Sequence, residues 1–226
     1  MKKTIITFLS AILSVPLLTA YALTPFDGTL IALDAGHGGS ETGAINAAYG
    51  IAEKDVNFAV VLALQTKLQD AGAKVVLTRE RDETLPSRRE RVQIAIDKCY
   101  ALANRKCDIL VSIHHNGNDD PAHDGTLVIY NEKQDIPLAR ALHNALIDGL
   151  GLSDEGYLSG GYGITVYNHL VSALTEAYYI TNDKEAAAYA NNPAEQIAKE
   201  VDAQFAGLAN YFTNKSSGGK GGGKPR

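Results

Sequence analysis

Short apolar runs rich in β-branched residues alternate along this 226-residue chain with longer stretches whose apolar residues recur every three or four positions. Strands buried on both faces read as near-continuous apolar runs, and helices that cover a sheet read as one-sided stripes, so the alternation restricts the chain to an α/β fold. The runs at 30–33, 75–78, 109–114, 126–130, 164–167 and 171–175 are candidate strands. Val56, Val60, Leu64 and Leu68 line one helical face, Leu138, Leu142, Leu146 and Leu150 a second, and Ile197, Val201, Phe205, Leu208 and Phe212 a third. Gly72 stops the first helix and Pro86 stands where another begins, over about 87–95, with irregular continuation through 97–106. Six glycines between 149 and 163 predict an exposed, mobile loop near a functional site.

The first strand runs into Asp34-Ala35-Gly36-His37-Gly38-Gly39. In an open α/β sheet, ligands gather beyond the carboxyl ends of the strands. His37 ends the first candidate strand, His114 ends the third, and Glu53 opens the helix that leaves the same edge, so all three reach one rim. Two imidazoles and a carboxylate suit zinc, and three protein ligands leave a fourth tetrahedral position for water. Glu176, at the end of the last candidate strand, is placed to move a proton there. The residues alone leave a second role open for it, a cap or ion-pair partner at the head of the next helix. His115 follows His114 but points to the opposite face of a continuing strand, which makes it a supporting residue. His123, His143 and His169 sit in polar or helical settings and read as surface residues, with His169 and Asn168 near enough to the Glu176 strand to meet a substrate.

Rival chemistries lack their residues. A dinucleotide fingerprint starting at Gly36 would need glycine where Glu41 stands, no Gly-Lys-Ser or Gly-Lys-Thr closes a phosphate loop, and Tyr157 replaces the first glycine of a serine-hydrolase elbow around Ser159.

The chain is long enough for one sizeable domain and short for two. Lys2 and Lys3, an apolar stretch from Ile5 to Leu18 and Ala20-Tyr21-Ala22 predict a signal peptide over 1–22, hence export to a periplasm or beyond and no integral membrane segment after cleavage. Loss of that segment removes two lysines and no acid, taking the formal charge from −5 to −7, which argues against nucleic acid as a partner. Cys99 and Cys107, eight apart, fit a local disulfide in an oxidising compartment better than a metal site, though spacing leaves two free thiols open. Residues 23–212 form the expected domain. The stretch 213–226, with Lys215, Lys220, Lys224, Arg226 and no acid, has too few apolar groups to fold and reads as a solvated end or a weak tether to an anionic polymer.

In order and spacing, several segments resemble the zinc-dependent N-acetylmuramoyl-L-alanine amidases of bacterial peptidoglycan. They are Leu33 to Gly39, Glu53-Lys54-Asp55-Val56-Asn57, Thr78-Arg79 with Asp82, Ser87 to Arg91, Ser112-Ile113-His114-His115-Asn116, and Leu174-Thr175-Glu176 with Thr181-Asn182. The resemblance implies a mostly parallel six-stranded sheet flanked by helices on both faces. It further implies that His37, Glu53 and His114 bind Zn2+, that Glu176 is the catalytic acid and base, and that Asn116 meets the peptidoglycan substrate. The bond cut would join N-acetylmuramic acid to the L-alanine of the stem peptide. The 97–106 segment looks longer than its counterpart in the family. The link after Asn116 is too short for the inhibitory helix some relatives insert there, which implies an open cleft needing no activator.

Overall fold

The computed structural model describes residues 24–161, 163–167 and 169–218, without the side chains of 216–218. The expected signal peptide, Asn168 and the last eight residues lie outside the described residues. The elements are β1 (Leu30–Ala35), β2 (Ile45–Asn46), β3 (Ile51–Ala52), α1 (Glu53–Asp70), β4 (Lys74–Leu77), α2 (Arg88–Ala103), β5 (Ile109–Asn116), β6 (Thr126–Tyr130), α3 (Ile136–Leu150), β7 (Asp154–Ser159), β8 (Ser172–Tyr179), α4 (Asp183–Asn191) and α5 (Pro193–Gly218).

Six strands form one sheet in the order β4-β1-β5-β8-β6-β7. The pairs β1/β4, β1/β5, β5/β8 and β6/β7 are parallel, and only β6/β8 is antiparallel. The central strands β1 and β8 are buried along their whole length, as expected of strands covered on both faces. Alternation divides β1 between two cores. Ile31, Leu33 and Ala35 pack with Val56, Val60 and Leu64 of α1, Leu138, Leu142 and Leu146 of α3, and Val201 and Leu208 of α5. Leu30 and Ala32 pack with Val92, Ala95 and Cys99 of α2 and with Ile164. Helices therefore cover both faces, and the rim between them is left for loops.

Local chemistry sets several boundaries. Ser87 caps α2 by accepting a hydrogen bond from the Glu90 amide, and Asn104 ends that helix in the left-handed conformation at φ 51°. Asn182 caps α4 by accepting from the amides of Lys184 and Glu185.

Four expectations need correction. The run at 164–167 is not a strand but a 3-10 turn, Gly163–Val166, whose Ile164 packs under α2. Its apolar residues satisfy the core without pairing to the sheet. The sixth strand is β7, inside the glycine-rich stretch expected to be a loop. There Gly156, at φ 85°, marks the irregular register against β6. Far from fraying after residue 95, α2 continues through Cys99 to Ala103, because Val92, Ala95 and Cys99 form one buried face. The terminal stretch is helical as far as Gly218, extending α5, and Lys215 lies 5.6 Å from the Tyr211 ring centroid and 6.0 Å from that of Phe212. The short β2/β3 hairpin and α4 had no distinct apolar signal.

Cys99 and Cys107 are joined in a disulfide with a Cα separation of 5.6 Å, which ties the last turns of α2 to the segment entering β5. Among the described residues, no helix is long and apolar enough to cross a membrane.

Candidate metal centre

β1 ends against β5, and the chain then turns sharply through Gly36 to His37, which adopts φ 59°. A non-glycine residue in that region carries strain that surrounding contacts must hold. Arg91 of α2 and Arg79 after β4 supply those contacts. The Arg91 guanidinium donates to the carbonyl of Ala35 at 2.9 Å and to that of His37. Arg79 donates to the carbonyls of Ala35 at 3.0 Å, Gly36 at 3.3 Å and Lys54 at 2.8 Å, so it ties the turn to the first turn of α1.

The cation on Arg91 is balanced by Asp34, whose Oδ1 lies 2.9 Å from Arg91 Nη1. Thr78 Oγ1 donates to the same carboxylate at 2.5 Å and Ser112 Oγ at 2.6 Å. Burial would raise the Asp34 carboxyl, but the Arg91 charge and the two hydroxyls outweigh it and hold the group below its ordinary value.

The β2/β3 hairpin returns the chain so that Glu53 is the first residue of α1. The Glu53 amide donates to the carbonyl of Ala44 at 2.9 Å, and the Ala44 amide donates to Glu53 Oε2 at 2.9 Å. His37 Nε2 stands 3.1 Å from Oε2, and His114 Nδ1 stands 2.9 Å from Oε1. Potential ligand atoms of His37, Glu53 and His114 lie within 4.8 Å of one another, close enough to hold one metal ion. Burial would raise Glu53, but hydrogen bonds to His114 and His37 dominate and keep the carboxyl ionised far below its usual range. Burial would likewise lower His37, and the hydrogen bond and charge of Glu53 reverse that, raising it.

Two glycines make room for this arrangement. A Cβ on Gly36 would stand 2.3 Å from the His114 ring, and one on Gly43, at φ +67°, would stand 2.2 Å from Glu53 Oε2. Neither position tolerates a side chain while the three ligands keep their places.

Glu176 on β8 is the register partner of His114 on β5. It is 8% exposed, and its Oε2 has no hydrogen-bond partner. Burial first, and the neighbouring Glu53 charge second, push its carboxyl well above the usual carboxylate range. A cleft of ≈ 270 Å³ brings His37, Glu53, His114 and Glu176 together with Asn116 and Arg88. Asn116 also accepts a hydrogen bond from the Gly117 amide at 2.9 Å.

His115 points to the opposite face and is buried. Of the histidines read as surface residues, His143 is buried against Asp154 at 2.7 Å, a correction that follows from its place on the inner stripe of α3. His123 is half-buried and pairs with Glu155 at 2.8 Å, and His169 is exposed near Glu132. Arg79, Asn57, Glu200 and Gly43 carry structural parts of the site that sequence reasoning did not assign. A visible signal existed for two of them: Asn57 and Glu200 each adjoin an apolar helical stripe where a polar group needs a buried partner.

A family model described as N-acetylmuramoyl-L-alanine amidase matches residues 31–205. The chain is 32% identical over 182 residues to the N-acetylmuramoyl-L-alanine amidase LytC of Bacillus subtilis, a match spanning 76% of this chain and 35% of LytC. It is also 32% identical over 197 residues to the uncharacterized protein YqiI of the same organism, spanning 85% of this chain and 89% of YqiI. Among solved structures, the catalytic domain of CwlV, an N-acetylmuramoyl-L-alanine amidase from Bacillus (Paenibacillus) polymyxa var. colistinus, superposes with a TM-score of 0.70 at 27% identity, covering 84% of this chain and 98% of that one. With the family match running from β1 into α5 and a relative of known fold aligned along nearly its whole length, the chain belongs to the N-acetylmuramoyl-L-alanine amidase family.

Proposed function

We propose that this protein is a zinc-dependent N-acetylmuramoyl-L-alanine amidase that hydrolyses the amide between N-acetylmuramic acid and the first L-alanine of the peptidoglycan stem peptide. The observation that carries the reading is the convergence of His37, Glu53 and His114 in one cleft with the register partner of His114, the buried Glu176. Two imidazoles and a carboxylate are the donor set of a catalytic zinc site with an open position, and the glycine cradle around them fits an ion at that point. When bound, zinc supplies Lewis acidity that polarises a carbonyl and acidifies a water.

The remaining work falls to the chain's own residues. Glu53 balances positive charge at the centre and holds both imidazoles in orientation. Ligation of a divalent cation by Glu53 would reverse the second of the two causes that raise Glu176, because the ion outweighs one carboxylate and would draw the Glu176 carboxyl down against its burial. In this reading Glu176 Oε2, free of any competing hydrogen bond, accepts a proton from the attacking water and returns it to the departing alanine nitrogen. Asn116 and Arg88 line the cleft and are placed to meet the polar groups of a muropeptide.

The rest of the proposal concerns setting. The sequence of residues 1–22 supports export, so the enzyme would act in a periplasm or outside the cell, on peptidoglycan and without nucleic acid. Only a short segment links β5 to β6, which supports activity without an added activator. Digestion of purified peptidoglycan by the purified protein alone, followed by mass spectrometry, is expected to release stem peptides with a free L-alanine amino terminus. Cleavage at another bond would instead make it a peptidase or deacetylase, and the absence of any product would make it a wall-binding protein or one that needs an activator.

A further inference from the structure

On the face of β5 opposite the cleft, a buried chain of side chains runs from the C-terminal helix to Glu53. Glu200 of α5 places Oε2 at 2.8 Å from His115 Nε2, His115 Nδ1 lies 2.7 Å from Asn57 Oδ1, and Asn57 Nδ2 donates to Glu53 Oε1 at 3.1 Å. Asn57 and Glu200 are fully buried and His115 is 1% exposed, so water does not compete for these bonds. Gln204, one turn along α5, donates to Thr175 Oγ1 at 2.9 Å and reaches Glu200 Oε1 at 3.5 Å, which anchors the far end. The His115 ring also stands edge to face against Tyr178, with centroids 4.4 Å apart.

The donors and acceptors fix the direction of the chain. Asn57 faces two groups that only accept, the Gly36 carbonyl at 3.3 Å and the Glu53 carboxylate, so its amide nitrogen must point there. Its oxygen is thereby left to His115, whose Nδ1 must carry hydrogen. One hydrogen then lies between His115 Nε2 and Glu200. An imidazole with a bare Nδ1 would draw the Asn57 nitrogen round and turn the amide oxygen onto the Glu53 carboxylate, acceptor against acceptor.

We infer that Glu200 is a positioning residue for the metal centre, acting through His115 and Asn57 to set the orientation of Glu53. The inference rests on the reading of His37, Glu53 and His114 as metal ligands. Partners that orient a ligand from behind are worth about ten- to a hundredfold in metal affinity, and this one would come from a helix remote in sequence from every ligand.

The test measures zinc affinity of the full chain by competition with a chromophoric chelator. Glu200→Leu removes the partner of Nε2 and is expected to weaken binding about ten- to a hundredfold, whereas Glu200→Gln, whose amide can still donate to a neutral His115, stays within about threefold of the wild type. Asn57→Ala cuts the chain nearer the metal, so adding Glu200→Leu to it should weaken affinity no further. Wild-type affinity in Glu200→Leu, or penalties that multiply in the double variant, would overturn the inference. A second measurement needs no substitution: 15N chemical shifts of the His115 ring in the wild type are expected to show hydrogen on Nδ1, and a bare Nδ1 is the contrary result. A wild type that binds no zinc would overturn the metal centre itself, whereas a zinc-binding wild type with indifferent Glu200 variants would overturn only the link.

Discussion

Glu176 shows most directly how burial shifts the ionisation of an ordinary side chain. Its orphaned Oε2 and its place beside Glu53 favour the neutral carboxyl in the metal-free fold. The folded value lies above the unfolded one, near 4.5, so this group's contribution to stability is complete below that pH and is lost as pH rises through the folded value. Glu176→Gln, which carries no charge at any pH, is therefore expected to melt above the wild type in zinc-free protein at neutral pH, with the difference closing near pH 4 and below. Thermal melts across that range would check it. The same substitution should retain zinc yet lower kcat by about 10²- to 10⁴-fold, the usual worth of a positioned proton carrier. Loss of zinc together with activity would instead make Glu176 a structural residue. Arg91 behaves differently, because it is paired rather than orphaned. Arg91→Ala leaves Asp34 charged and 1% exposed, and should cost about 3–5 kcal/mol of stability in a denaturant titration.

At the scale of elements, the sequence announced what periodicity and apolar runs can express and concealed what depends on partners. β1, β4, β5, β6 and β8 were legible because each holds a compact apolar run, β-branched in β4, β5 and β6, and α1, α3 and α5 because their stripes repeat. The three proposed ligands were legible too, since each ends a strand or opens a helix on one edge. The run at 164–167 has strand-like residues but folds as a 3-10 turn that buries Ile164 under α2. β7 has the opposite history. Glycine-rich and poor in apolar residues, it is held by β6 and by His143 and His123, which grip Asp154 and Glu155. Pairing of that kind joins distant parts of the chain, and no local pattern encodes it. The disulfide is also an element-level device, closing a short loop between α2 and β5 with a sequence separation of 8. Replacing both cysteines by serine should lower stability by about 2–3 kcal/mol through the freed unfolded chain, measurable as a shift in the denaturation midpoint. Activity of the folded fraction should survive, because the bridge lies on the α2 side of the sheet, away from the ligands.

For the molecule as a whole, folding and metal binding should be coupled, because the proposed ligands come from β1, α1 and β5 and meet only when the sheet and its first helix are assembled. Zinc at about a thousand times its Kd is expected to stabilise the protein by about 4 kcal/mol, and a chelator should remove both that increment and the hydrolytic activity, with recovery on adding zinc back. Calorimetry with and without chelator reads the first effect and peptidoglycan turnover the second. Absence of any zinc-dependent shift would contradict a centre assembled by the fold. The floor of the cleft is made by the ends of neighbouring strands, while its sides come from Gly43 and Ala44 before the β2/β3 hairpin, from Gly163 and Ile164 of the 3-10 turn, and from Arg88 at the head of α2. Of these sides, the 3-10 turn is remote in sequence from the three proposed ligands, whereas Gly43 and Ala44 press directly on Glu53. An engineer wishing to redirect the enzyme to a different wall chemistry would therefore start at the 3-10 turn and leave Gly43 and Ala44 alone, because those two also cradle Glu53.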